Sequence, residues 1–343
     1  MTARIVQGLV VGLLIGSPLF GQVSTRTNGL YLTEALPSLR TAALHFSAHV
    51  INDKGQACMA ATLLSADGYF LTKSSETPPF AKVTLRLGHG EEVPVREVWR
   101  DRSRDIVLGK ASIVGSGKHP PLQMLPEADL PPATWLCALH GPDREIRLGV
   151  HSAQRRKIPG MGAALGIRMA PEPEQATEQA HGVRIAGVAA DSPAATAGLR
   201  KNDLLLEIDG SPMRKFDNVR EIVSQRQPGD ELSVLYRRDG QESQVSVRLA
   251  SRTKVLANWD GEDYANGGIS LRTDGFPDII QHDLPLDPND MGGPLFDLSG
   301  NLVAINISRV DRVTTFALPL ESFWKDVRQR VVDDRTNARE LKK

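Results

Sequence analysis

Eight histidines and two cysteines are the most reactive side chains in this sequence of 343 residues. None of them stand at the short spacings from which zinc sites are built, so no metal is expected, and nothing else in the sequence calls for a cofactor. Acyl-bond hydrolysis without a metal needs a nucleophile, a histidine to take its proton, and a carboxylate to orient that histidine. His49, in the triplet Ala48-His49-Val50, superficially suits the base; His45 lies just before it in a run expected to be a strand. His282 precedes the pair Gly292-Gly293 and is expected at the surface. Cys58 and Cys137 sit in apolar runs, Ala57–Ala60 and Trp135–Leu139, and fit either buried free thiols or one bridge.

The elements that must position such groups are mostly short β runs. Ala60–Ser65, Tyr69–Thr72, Val83–Leu87, Val93–Trp99 and Asp105–Ser112 are separated by Gly and Asp turn signals, which predicts a β-barrel or sandwich. A Pro-rich stretch, His119 to Pro132, precedes two more strand-like runs over Thr134–Ser152. The character changes near Gly160, where a compact unit with a helix-period segment at Phe216–Ser224 begins. It closes with runs at Glu231–Arg237 and Gln244–Leu249 around the hairpin turn Asp239-Gly240. β character returns over Ser270–Leu320, and Glu321–Val332 reads as a terminal helix followed by a frayed polar tail.

Composition narrows the partners. Lysine plus arginine equals aspartate plus glutamate at 41 each, which argues against nucleic acid or an anionic membrane surface. At the N-terminus Arg4 precedes an apolar stretch, Ile5 through Ile15, and small residues follow up to Gly21. The pattern is that of a signal peptide cut after about Gly21, with an uncleaved anchor as the alternative; both imply export to the periplasm or beyond. No later stretch is long and apolar enough to span a membrane as a helix.

Two families are resembled. Ala164-Leu165-Gly166-Ile167, then Val183–Val188, then the run from Asp191-Ser192-Pro193 through Gly198-Leu199 to Asp203-Leu204-Leu205, and Ile208-Asp209-Gly210, look like the core of a bacterial-type PDZ domain. Asn202 stands where that family usually has glycine, and Asn best replaces Gly at positive φ. The resemblance implies a peptide added as a strand along Gly166–Met169, its carboxylate on the loop Ala164, Leu165, Gly166 and Ile167. Val219, Ile222 and Val223 of the facing helix would line an apolar groove.

The flanking segments resemble the trypsin-like serine proteases of the HtrA (Deg) type. Ala61–Thr72 is similar to the strand pair that delivers the catalytic histidine, Asp105-Ile106-Val107-Leu108 to the stretch bearing the aspartate, and Gly292-Gly293-Pro294-Leu295 to the nucleophile loop. The resemblance puts Ser75 at the histidine position and Met291 at the nucleophile position; only Asp105 keeps its family residue. The oxyanion donors it implies are the amides of Asn289 and Met291. A thioether cannot form an acyl-enzyme, and a serine cannot act as a general base near neutral pH. Asp105, deprived of its histidine, is expected to take a hydrogen bond from Ser74 or Ser75.

The fold so implied is mainly β: a trypsin-like double β-barrel with a PDZ domain inserted in the second barrel. Its expected divisions are a signal peptide (1–21), barrel 1 and the start of barrel 2 (33–156), the PDZ domain (160–251), and the rest of barrel 2 with the C-terminal helix (265–332). The function implied is an exported, proteolytically inactive HtrA-like protein that binds peptides, unfolded segments or protein C-termini. The alternatives are an active serine-type endopeptidase of protein quality control with non-standard catalytic residues, and a structural assembly protein.

Overall fold

The computed structural model describes residues 37–113, 130–141, 144–170, 182–257 and 268–340. The N-terminal segment read as a signal peptide, and most of the Pro-rich stretch, lie outside the described residues.

A helix, α1 (Pro37–Phe46), leads into six antiparallel strands: β1 (Ser47–Asn52), β2 (Ala57–Leu63), β3 (Tyr69–Lys73), β4 (Val83–Arg86), β5 (Glu92–Asp101) and β6 (Ile106–Ala111). They close into a barrel of order β1-β2-β3-β6-β5-β4. His45 therefore ends a helix rather than lying in a strand. Strands β3 and β6 are buried at nearly every position because both their faces are covered. Alternation sends Phe70 and Val107 into one hydrophobic cluster, and Tyr69, Leu71, Ile106 and Leu108 into another. Both clusters also take residues from the second barrel, among them Leu295 and Met291 in the first and Phe276 and Phe296 in the second.

That second barrel draws on distant parts of the chain. Its strands are β7 (Trp135–His140) and β8 (Glu145–Ile158), then β17 (Phe276–His282), β18 (Pro294–Asp297), β19 (Leu302–Arg309) and β20 (Thr315–Pro319), in the order β17-β20-β19-β18-β7-β8. β8 is long enough to pair with β7 through its first half and with β17 through its second.

Between β8 and β17 lies the compact unit. A two-stranded stem, β9 (Ala163–Ala164) against β16 (Ala250–Ser251), holds its two ends together. Within it run β10 (Ile167–Met169), β11 (Val183–Val188), β12 (Leu204–Ile208), β13 (Ser211–Pro212), β14 (Glu231–Arg238) and β15 (Gln241–Arg248), with β10 at one edge of the sheet. Two helices, α2 (Pro193–Thr196) and α3 (Phe216–Ser224), cover the sheet. Ser192 caps α2 by accepting from the Ala195 amide at 3.2 Å, and Pro193 fits the first helical turn. Asn202 has φ +76°, the left-handed conformation expected of it. A further helix, α4 (Arg252–Ala257), follows the stem.

The terminal helix α5 (Trp324–Glu340) runs eight residues beyond the expected end. Its apolar start buries Val327, and its last turns are held by charge rather than by apolar packing. Asp334 accepts from the Tyr69 hydroxyl at 2.6 Å and pairs with Arg96 at 2.6 Å, while Arg335 pairs with Asp67 at 2.8 Å. Both cysteines are free thiols, Cys58 half-buried and Cys137 buried.

Candidate functional site

The strand β3 ends at Lys73, and the chain turns through Ser74 and Ser75 against Asp105. Ser75 donates twice to that carboxylate, its amide to Oδ1 at 2.7 Å and its hydroxyl to Oδ2 at 2.9 Å. The hydroxyl expected to satisfy Asp105 is thus Ser75; Ser74 instead accepts from Arg100 at 2.6 Å. Asp105 is buried and has φ +60°, a conformation Asp tolerates better than most residues. Burial pushes its carboxyl above the ordinary range, against the nearby charges of Lys73 and Arg272 and the Ser75 bond. The fully buried Lys73 ammonium lies 2.8 Å from Glu76 and 3.8 Å from Asp105, an ion pair by distance. Arg272 donates to the carbonyls of Arg102 at 2.5 Å, Ser103 at 2.9 Å and Asp274 at 3.0 Å. Two buried cations therefore face two carboxylates, which is how a low-dielectric site tolerates charge.

The loop between α3 and β14 packs directly on this turn. A Cβ built on Gly229 would lie 2.6 Å from the Cβ of Ser75 and 2.8 Å from its Cα, and Gly229 has φ +93°. Next to it Asp230 pairs with Arg102 at 2.7 Å. What remains is a polar cavity of about 110 Å³ between Ser75, Asp105, Arg272 and residues 227–230.

On the second barrel, a single 3-10 turn, Pro288–Asp290, precedes Met291. Asp290 is buried and accepts from His140 at 2.7 Å, the Gly141 amide at 2.9 Å and the Asp287 amide at 2.8 Å, fixing the turn to the end of β7. The Asp290 carboxylate raises the pKa of His140 above the ordinary imidazole range. Met291 has no exposed surface and packs in the inter-barrel core; its amide donates to the Pro288 carbonyl at 3.2 Å. Asn289 is exposed on the turn. Gly292, at φ +87°, lies against barrel 1, where a Cβ would meet the Ala60 carbonyl at 2.4 Å and Thr72 Oγ1 at 2.7 Å. The nearby threonine hydroxyls are committed, Thr62 to the Gly292 carbonyl at 2.8 Å and Thr72 to the Ala60 carbonyl at 2.7 Å.

The candidate histidines are set differently from the sequence expectation. His282 is not at the surface: it has no exposure, and its Nε2 lies 2.8 Å from Asn306 Oδ1. Burial between β20 and β8 explains this, and the same burial lowers its pKa to about 4. His49 is buried on β1, and burial together with Arg144 lowers its pKa to about 4. Among the described residues, no three His, Cys, Asp or Glu side chains cluster as metal ligands.

The groove lies on the compact unit. Among the described strands β10 pairs only with β11, which leaves its outer edge open opposite α3. Ala164, Leu165, Gly166 and Ile167 line one wall and Phe216, Val219, Arg220, Val223 and Ser224 the other, around a volume of about 700 Å³. The residues of α3 that face the groove recur at spacings of three and four. Ile222 falls about 60° past that face and packs half-buried against the unit's core, so it is not a groove residue. Gly166 has φ +82°, and a Cβ there would meet Ser192 Cβ at 2.3 Å. The amides of Leu165 and Gly166 donate to no acceptor among the described residues, whereas their carbonyls accept from Ala194 and Ala189 at 2.9 Å each. Sequence reasoning missed Lys73, Arg272, Gly229 and the His140–Asp290 pair. Lys73 inside an apolar strand and the turn signal Pro228-Gly229 were the available hints, but the groups they meet are distant in sequence.

The family description "PDZ domain" matches residues 163–249. Magnetosome formation protease MamE of Paramagnetospirillum magneticum is 44% identical over 59 residues, 17% of this chain and 8% of that protein. A "Probable periplasmic serine endoprotease DegP-like" of Marinomonas sp. is 34% identical over 83 residues, 23% of this chain and 18% of that protein. A protein of the same description from Halomonas elongata is 19% identical over 282 residues, 60% of this chain and 57% of that protein. The matched stretch thus spans a fifth or less of the first two relatives and little more than half of the third. Among solved structures, the serine endoprotease from Yersinia pestis aligns with TM-score 0.31 and 15% identity, covering 63% of this chain and 97% of that one. Residues 163–249 are therefore a PDZ domain, carried in a mainly β chain that is similar to the HtrA/DegP-like serine endoproteases.

Proposed function

We propose that this chain is an exported peptide-binding protein of HtrA-like build that does not cleave what it binds. Peptide binding rests on the open β10 edge facing α3 beside the undonated amides of Leu165 and Gly166, which suit a terminal carboxylate. A relict proteolytic centre accounts for the polar site between the barrels. The family's base position holds Ser75, spent on Asp105 and covered by Gly229; its nucleophile position holds Met291, sunk in the core. The Met291 amide, turned onto Pro288, is unavailable as an oxyanion donor. Export is supported by the leader-like N-terminus and by the periplasmic description of two relatives.

The test pairs two measurements on one preparation: casein cleavage, and selection from a library of peptides with free C-termini. Selection of a consensus with no cleavage is the expected result. The Ser75→His, Met291→Ser double variant is expected to stay inert as well, because the Gly229 backbone leaves little room for an imidazole at position 75. Cleavage that copurifies with the natural chain overturns the inactive reading, and a library that returns no sequence overturns the binding reading.

A further inference from the structure

Among the described residues, arginine is the only charged residue type lining the PDZ groove: Arg168 on β10, Arg220 on α3 and Arg252 at the head of α4. All three are exposed, and none of the described lining residues is acidic. Arg220 stands 3.9 Å from Asp217, with both side chains largely in solvent. Between the arginines the groove is apolar. Part of that apolar surface, Val255 and Leu256, comes from α4, outside residues 163–249. Val255 is buried beside the carboxylate loop, its Cγ1 3.5 Å from where a Cβ on Gly166 would be, while Leu256 is half exposed at the rim. The site thus offers backbone donors at one point, apolar walls, and positive charge from three separate elements.

We propose that the groove selects peptide strands that end in an apolar residue and carry carboxylate side chains just upstream. The inference deepens the peptide-binding reading and rests on it. A strand laid along β10 alternates its side chains: one set enters the apolar channel, and the other turns to the outward face that carries Arg168, whose guanidinium lies over Gly187 of β11. Arg220 and Arg252 flank the channel from the helices. Carboxylates on the incoming strand meet guanidinium groups suited to bidentate pairing, whereas lysines meet like charge from both walls.

Fluorescence anisotropy on the full chain tests this with three labelled peptides ending in the same valine, preceded by glutamates, by serines or by lysines. The acidic peptide is expected to bind roughly tenfold more tightly than the lysine peptide in about 0.1 M salt. The gap should narrow in about 1 M salt, where charges are screened beyond about 3 Å. In the Arg168→Glu, Arg220→Glu double variant the order of the acidic and lysine peptides should reverse, with an unchanged thermal unfolding transition reporting an intact fold. Equal binding of all three peptides, or preference for lysine, overturns the charge selection and leaves the peptide-binding reading standing. Failure of all three peptides to bind overturns both.

Discussion

A buried carboxylate needs hydrogen-bond donors and nearby positive charge. Between the barrels, the Asp105 carboxylate is met by two Ser75 donors, Lys73 and Arg272. The residues that titrate with consequence are elsewhere. His282 is held neutral by complete burial, with His151 opposing its charge and Asp283 and the Asn306 bond favouring it only in part. Its folded pKa of about 4 lies below the 6.5 of an exposed imidazole, so the unfolded chain takes up the proton first as pH falls. Its contribution is complete above about pH 6.5 and lost on the way down to pH 4, and His49 acts in the same direction. Urea unfolding should show a stability loss over that window that is smaller, by up to roughly 3 kcal/mol, in the His282→Gln variant. Equal slopes in the two proteins would place the acid sensitivity in other groups.

Among the elements, α5 shows how a polar segment becomes ordered helix. Its apolar stretch stops near Val331, yet it continues to Glu340 because Asp334 and Arg335 find partners on barrel 1. Tyr69 contributes a buried ring to the core and a hydroxyl to Asp334, so Tyr69→Phe removes the bond while keeping the packing. The expected cost is about 1–3 kcal/mol, with faster amide exchange confined to residues 328–340. Unchanged exchange there would mean that the Arg96 and Arg335 pairs suffice to hold the helix.

For the molecule as a whole, the PDZ domain is fastened at two places. Its two ends meet in the β9–β16 stem, and its loop around Gly229 seats on the Ser75 turn, with Arg102–Asp230 beside it. Gly229 and Gly240 both have positive φ, but nothing lies within 4 Å of a Cβ at Gly240. Gly240→Ala should therefore cost only the backbone term, about 1–2 kcal/mol. Gly229→Ala should cost about 1–3 kcal/mol more, because Ser75 or the whole docked loop must move. Equal losses in denaturant unfolding would show that the loop is not clamped to barrel 1. If it is clamped, the groove and the turn at Ser75 and Asp105 belong to one body.

Local pattern was sufficient for the mainly β class and for α3 to its ends, because each depends on neighbours within a few residues; the left-handed turn at Asn202 was implied by the PDZ resemblance. Resemblance to a family, rather than spacing, raised the expectation that Met291 and Ser75 stand at nucleophile and base positions. Only the tertiary structure decided what surrounds them. Burial of His282, the Arg272 and Lys73 charges on Asp105, the docking of Gly229 and the α4 wall of the groove all join segments far apart in the chain. No periodicity or spacing encodes such meetings; they follow from how two barrels and an inserted domain share one set of packed surfaces.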